Sequence, residues 1–355
     1  MYTSFHIKNY RCFDNLALTD LAQVNLIGGK NNVGKTALLE ALFLHTRGYN
    51  PQFIFDLDVV RGLTPNLEQP VPEWEFLFLN RDSSLTVELL GEDAKTGSRS
   101  LKLRFVEDSE ERDKIKLIIP KSRFSNGAAI LSPTSTILAL DYRQSTQANT
   151  VYLAQGGEIL SAPPDSPFPS FLIPAQGRPL LKETRERFSN LVRNGKLLLL
   201  LEYLQRIDPR IRDIQLLDFG GETMPHGFIF NERPIPLNYM GEGINRVVNF
   251  ILTIASASGG VVLVDEIENG LHYSVLADVW KAIAQAARTF NVQVFATTHS
   301  LEMIRAAHET FSQSEPYDFR LHRLDQNIET GQIETLTFNQ NSMNAAILFD
   351  QEVRG

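Results

Sequence analysis

Lys35 and Thr36 close the stretch GGKNNVGKTA, and the two glycines before them, Gly29 and Gly34, complete the spacing GxxxxGK followed by Ser or Thr. The chemistry of that spacing is phosphate binding. Gly29, Lys30, Asn31, Asn32, Val33 and Gly34 form a turn whose N–H groups face inward around a polyphosphate. Thr36 and Ala37 open a helix that presents its positive end to the same charge. The Lys35 ammonium would meet the β and γ phosphates of a nucleotide, and the Thr36 hydroxyl would ligate Mg²⁺. A chance match in a glycine-rich hairpin would lack the flanking elements. Here Val24, Leu26 and Ile27 read as a short buried strand, and Ala37, Leu38, Ala41, Leu42 and His45 recur at helical spacing until Gly48 stops the helix.

A second group of reactive side chains lies far along the chain, in GGVVLVDEIENGL. Four apolar residues, Val261 to Val264, follow a Gly-Gly break and end in Asp265 and Glu266. Carboxylates at the C-terminal end of a buried parallel strand face the crevice where open α/β sheets bind ligands. Asp265 is placed to hold Mg²⁺ or its water, and Glu266 to polarise an attacking water. A strand ending in solvated acids would look the same in isolation; the phosphate loop decides for the functional reading. VQVFATTHS repeats the design, with Val292, Val294 and Phe295 as the strand and His299 at its tip, where an imidazole could donate to a γ-phosphate.

Between these groups, Gly241, Glu242 and Gly243 precede a helix whose apolar positions Ile244, Val247, Val248, Ile251 and Ile254 follow the 3.6 period. A glycine loop opening a helix is another anion site. One nucleotide does not easily use both loops within one subunit, so a symmetric homodimer is expected, each bound nucleotide lying between the phosphate loop of one copy and the GEG loop of the other.

These groups require strands and helices to position them, and the chain is long enough to supply both. Its 355 residues are 43% hydrophobic, with net charge −8 and pI near 5.5, which argues against a surface seeking nucleic acid throughout but leaves a local basic face open. The single cysteine, Cys12, excludes an internal disulfide framework and suits a reducing compartment. With no signal-peptide pattern and no apolar run long enough for a membrane, the expectation is a cytoplasmic, soluble protein. We read one domain in three zones: residues 1–61 and 238–355 as the nucleotide-binding core, 62–179 as a β-rich insertion, and 180–237 as a helical lobe. Within the first zone a strand is expected at Ser4 to Asn9. SLTVELL, SLKLRFVE, KIKLIIP and STILALDY suggest antiparallel strands in the insertion. A proline-dense link, SAPPDSPFPSFLIPAQGRP, closes it, and Leu180 to Ile207 reads as one or two helices.

In this order, IKNYRCF, GGKNNVGKT, MGEGINR, VVLVDEIENGLH and ATTHS resemble the ABC-type ATPase heads of the SMC, RecF and OLD-like families, and more narrowly the bacterial AAA15 family of stand-alone ATP-binding proteins. The resemblance covers about Ser4 to Arg47 and Asn238 to Ile304. It implies an α/β P-loop NTPase of ABC-ATPase type, with a mixed core sheet, an antiparallel β subdomain and a helical lobe. It further implies Gly29 to Thr36 as Walker A, Asp265 and Glu266 as Walker B with Glu266 as general base, Gly241 to Gly243 as signature motif, Asn269 to His272 as the D-loop region, and His299 as the switch histidine. By the same resemblance Arg11, a basic residue on the first strand, is a nucleotide-ligand candidate, and Gln176 at the end of FLIPAQG is the nominated Q-loop residue, with Gln144 and Gln155 as alternatives.

Two departures from the pattern bear on function. Gly241 stands where ABC heads usually place serine, leaving only backbone donors for the partner's γ-phosphate, and no Q-loop glutamine is obvious. The reading is an ATPase that controls a partner protein, such as a separate effector, or DNA. A nucleotide sensor or scaffold is the alternative; a transporter motor is disfavoured by the non-LSGGQ signature and the β-rich insertion. OLD proteins add a metal-dependent nuclease domain, for which the 56 residues after His299 are too few, so any nuclease activity is expected to belong to a separate protein. Asp56 and Asp58 form the one DxD pattern, read as exposed acids rather than a metal site. Lys182, Arg185, Arg187, Arg193 and Lys196 are basic positions of one helix, read as a solvated face because Glu183 and Glu186 lie among them.

Overall fold

Apolar residues alternate through YTSFHIKNY and FDNLAL, and the two segments pair as a hairpin. In the computed structural model, which describes residues 1–47, 54, 72–118, 136–145, 147–154, 158–159, 168–176, 181–229, 233–349 and 353, these are β1 (Tyr2–Tyr10) and β2 (Phe13–Leu18), with Ile7 opposite Leu16. β1 contains the expected Ser4 to Asn9 strand. The third strand, β3 (Val24–Gly29), is buried along its whole length and leads into helix α1 (Lys35–Arg47), buried from Ala37 to Thr46. A strand and helix hidden on all sides need no polar face, which is why both read as near-continuous apolar runs. Gly48, the expected helix stop, lies outside the described residues.

The strands of the expected insertion are antiparallel and join the first hairpin in one sheet. β4 (Val87–Asp93) pairs with β1, placing Leu89 opposite Ile7, and β5 (Gly97–Phe105) pairs antiparallel with β4. KIKLIIP, expected as a strand, instead runs through Ile118 as the end of helix α2 (Ser109–Ile118). Asp108 explains the difference: its carboxylate accepts the N–H groups of Glu110 and Glu111 at 3.2 and 3.3 Å, and those two acids sit at the helix's positive end. β6 (Ile137–Gln144), β7 (Gln147–Ala154) and β8 (Glu158–Ile159) complete an antiparallel sheet ordered β2-β1-β4-β5-β6-β7-β8 among the described residues.

β9 (Ser170–Ile173) falls within the span read as insertion, yet it belongs to the second sheet. The expected helical lobe is half strand: α3 (Leu181–Arg193) and α4 (Leu197–Ile207) are followed by β10 (Ile211–Phe219) and β11 (Glu222–Ile229), with Gly220 and Gly221 at positive φ in the turn between them. β12 (Ile235–Pro236) pairs with β11, and helix α5 (Glu242–Ser256) follows.

The chain then alternates β13 (Val261–Val264), α6 (Leu276–Phe290), β14 (Gln293–Thr297), α7 (Leu301–Ser312), β15 (Phe319–Gln326), β16 (Ile333–Phe338) and α8 (Gln340–Leu348). The resulting sheet is ordered β16-β15-β3-β14-β13-β9; its five strands β15 to β9 run parallel in four pairings, and β16 is antiparallel at the edge. One apolar core joins this sheet to α5, α6 and α7 around Trp280, and a second lies between α1, the core sheet and the antiparallel sheet. In register, Val264 faces Ala296 and Ile173, while Thr297 faces Ile27. The C-terminal ends of β3, β9, β13 and β14 therefore open into one crevice. No helix among the described residues is long and apolar enough to cross a membrane.

Candidate nucleotide site

Two glycines shape the loop leaving β3. Gly29 has φ 145°, and a Cβ there would lie 2.7 Å from Val33 Cγ1 and 2.8 Å from the Leu324 carbonyl oxygen. Gly34 has φ 97°, and its Cβ would meet Cys12 Sγ and Phe13 Cζ, both at 2.8 Å. Backbone conformation and close approach thus both demand glycine. Lys30, Asn31 and Asn32 are exposed along the turn, and Val33 is buried as its anchor. The helical hydrogen bonds begin with Leu38 N–H to the Gly34 carbonyl at 2.9 Å. The amides of the turn before that point are the donors a helix start leaves for an anion. Lys35 folds back over the turn, donating from Nζ to the carbonyls of Gly29 and Lys30 at 2.7 and 2.8 Å. Burial lowers its pKa, against the opposing charges of Glu268, Asp265 and Glu266.

The acidic strand end meets this loop directly. Thr36 Oγ1 donates to Asp265 Oδ2 at 3.0 Å, and Thr297 Oγ1 donates to Asp265 Oδ1 at 2.6 Å. Asp265 is buried; burial pushes its carboxyl above the usual carboxylate range, while the two hydroxyl bonds pull the other way. A carboxylate and a hydroxyl converging beside the glycine turn are hard oxygen donors, and that donor set fits Mg²⁺. Glu266 has φ 45°, in the left-handed region, and its backbone is tied at both ends: its N–H donates to Thr297 Oγ1 at 2.8 Å, and its carbonyl accepts from Arg246 Nη2 at 3.1 Å. The Glu266 carboxylate accepts from Asn269 Nδ2 at 2.7 Å, which also reaches the Ala175 carbonyl at 3.2 Å.

His299, at the tip of β14, is held by Glu268, whose Oε1 accepts the His299 N–H at 2.7 Å and lies 3.0 Å from Nδ1. Sequence patterns did not single out Glu268, Arg246 or the bridging role of Thr297. Glu268 carried one available signal, as a third acid two residues beyond Glu266 in a segment leaving a buried strand. Arg246 carried another, a cation next to Val247 in a helix that buries most of its surface.

The remaining candidates are distributed as follows. Gly241, at φ 106°, precedes the first residue of α5; Gly241 and Glu242 are exposed, and Asn245 Nδ2 donates to the Gly241 carbonyl at 2.9 Å. Glu242 packs on Gly270, where a Cβ would fall 2.5 Å from Glu242 Cγ, and Gly243 lies near the Gly270 carbonyl and Leu271. The GEG loop thus abuts the segment that follows the acidic strand in its own chain. Gln176 is exposed in the bend after β9, one residue past the carbonyl that Asn269 reaches. Gln144 ends β6 in the antiparallel sheet, where it accepts from Tyr142 OH. Gln155, Asp56 and Asp58 lie outside the described residues. Arg11 pairs with Glu40 at 3.1 Å and donates to Tyr10 OH at 2.9 Å, tying the first hairpin to α1. Arg187 departs from the solvated face expected of its helix: it turns inward to Thr253 Oγ1 at 2.9 Å and lies over the Phe171 ring, because Phe188 and Leu191 beside it bury against the core.

A parallel sheet ending in a phosphate loop and a buried acid, wrapped by a second antiparallel sheet, defines a P-loop ATPase of the ABC type. Solved SMC heads share the architecture. One is bound to the C-winged helix domain of ScpA, at TM-score 0.50 and 10% identity, covering 96% of this chain and 99% of that one. Another, with an extended coiled coil, is bound to the C-terminal domain of ScpA derived from Pyrococcus furiosus, at TM-score 0.50 and 10% identity, covering 99% of each chain. At that identity the likeness is one of fold. Residues 24–305 match the family model described as "AAA domain, putative AbiEii toxin, Type IV TA system", and the chain belongs to this family, which makes it an ATPase. It is also similar to an ATP/GTP phosphatase of Helicobacter pylori, 22% identical over 333 residues and covering 86% of each protein.

Proposed function

We propose that this protein hydrolyses Mg²⁺-ATP in a homodimer that closes around two nucleotides, and that closure and opening control a partner protein. The observation that carries the reading is the 3.0 Å contact between Thr36 and Asp265, which brings the phosphate loop and the acidic strand to one point. The loop amides and Lys35 hold the polyphosphate, so binding exchanges the Gly29 and Lys30 carbonyls for phosphate oxygens on the ammonium. Thr36 and Asp265 would hold a Mg²⁺ ion, which would supply charge neutralisation during phosphoryl transfer. Glu266, released from Asn269, orients the attacking water and accepts its proton. His299 meets the γ-phosphate. Gly241 to Gly243 of the second copy contribute backbone N–H groups at the exposed start of α5. The SMC heads carry bound ScpA domains, which supports a protein as the controlled partner here. We read the motif set as similar to those of the AAA15 and OLD-like groups of ABC-type heads.

Light scattering on Lys35→Ala and Glu266→Gln proteins, each with and without Mg²⁺-ATP, tests the closure. The Glu266→Gln protein is expected to double in mass with nucleotide while the Lys35→Ala protein does not; unchanged mass in both, starting from a monomer, rejects the dimer. Two observations favour a second reading, a slow nucleotide sensor: the Glu266 carboxylate is held by Asn269, and Gly241 offers no hydroxyl to the second nucleotide. Steady-state turnover separates the two, since a sensor binds ATP tightly with negligible hydrolysis.

A further inference from the structure

Glu268 lies outside both the phosphate-loop pattern and the metal-binding pair, yet its carboxylate is built into the site. One oxygen, Oε1, accepts the His299 N–H at 2.7 Å and lies 3.0 Å from Nδ1 of the same residue. The other, Oε2, is buried with no hydrogen-bond partner. The Glu268 side chain is 12% exposed while the imidazole it holds is 50% exposed, so the acid is the fixed member of the pair. A buried carboxylate is costly to keep unless nearby donors and cations compensate it. Here the observed donor is His299, the side chain read as meeting the terminal phosphate.

We propose that Glu268 is a positioning residue that fixes the tautomer and orientation of His299 for contact with the γ-phosphate. An ionised carboxylate only accepts hydrogen bonds, so Nδ1 carries the proton and Nε2 is the ring atom left for a phosphate oxygen. The backbone bond to the same oxygen fixes the ring's point of attachment as well as its tilt. Glu268 thereby links the segment after β13 to the tip of β14 across 31 residues of sequence. The inference rests on the reading of His299 given above, and its test separates the two.

Mg²⁺-ATPase is measured for the unmodified protein, Glu268→Ala, His299→Ala and the double variant. Both single changes are expected to lower kcat with KM for ATP nearly unchanged. For Glu268→Ala the loss is about 10- to 100-fold, the range seen when the carboxylate behind a histidine ligand is removed. The double variant is expected to be no slower than His299→Ala, because a residue acting through another adds nothing once that residue is gone. Multiplying effects, or a Glu268→Ala protein at the parental rate, overturns the proposal. A His299→Ala protein at the parental rate overturns instead the phosphate role of His299. Nitrogen-15 NMR of labelled histidine then judges the positioning by itself, without turnover. His299 should carry its proton on Nδ1 in the unmodified protein and in Glu268→Gln, which keeps the acceptor and the volume. It should shift toward Nε2 in Glu268→Ala, and an unchanged spectrum there rejects the positioning.

Discussion

At the scale of single residues, two carboxylates one position apart have different work because their surroundings differ. Asp265 is buried between two hydroxyls, whereas Glu266 is half-buried, on a left-handed backbone and bonded to an amide that also serves Ala175. Glu266→Gln is expected to bind ATP as before and to hydrolyse it about 10² to 10⁴ times more slowly, as loss of a general base implies; single-turnover assays read this directly. Asp265→Asn separates stability from function in the opposite sense. An acid whose folded pKa lies above its unfolded value contributes most at low pH, and that contribution declines as pH rises through the interval between the two values. The amide carries no such penalty, so without nucleotide the Asp265→Asn protein should melt no lower than the parent at pH 7 while losing Mg²⁺-dependent turnover. A melting temperature well below the parent's would show that the carboxylate is structurally required.

At the scale of elements, α1 is the piece that joins site to scaffold. Its first turn opens at the phosphate loop, and its last turn buries His45, whose Nδ1 lies 2.7 Å from Tyr2 OH in β1 and whose Nε2 lies 3.0 Å from the Arg99 carbonyl in β5. Burial, with the Arg99 charge adding to it, pushes the His45 pKa down to about 3. The unfolded chain takes up the proton near 6.5 and the folded protein does not, so stability contributed by the neutral ring is full above 6.5 and is lost as pH falls toward 3. His45→Gln should be less stable at pH 7 by about 1–3 kcal/mol, from the disturbed buried hydrogen bonds. It should also lose less than the parent between pH 7 and pH 5. Urea midpoints at the two pH values read both effects, and equal losses in the two proteins would remove His45 as the titrating group.

At the scale of the whole molecule, nucleotide binding and folding stability are linked, because the loop, the acidic strand and the histidine come from distant parts of one chain. A ligand present at 100 times its Kd adds about 2.7 kcal/mol to a folded state that alone binds it. Mg²⁺-ATP should therefore raise the melting temperature of the unmodified protein and leave that of Lys35→Ala nearly unchanged; an equal rise in both would place the nucleotide elsewhere. What the sequence determined by itself was every feature made by contiguous residues. The turn of Gly29 to Thr36, the apolar strand ending in Asp265 and Glu266, and the histidine closing another strand are legible because glycine freedom, strand burial and helix periodicity act over a few neighbouring positions. Only the tertiary structure decided which of those pieces touch. Strand order set β13 beside β14 and brought Glu268 to His299. The same packing carried Arg246 from α5 to the Glu266 carbonyl, placed β9 in the core sheet, and merged the inserted strands with β1. Those contacts depend on which strands pair and in which register, and hydrogen bonds between residues 20 or 31 positions apart leave no period in the chain for a local pattern to reveal.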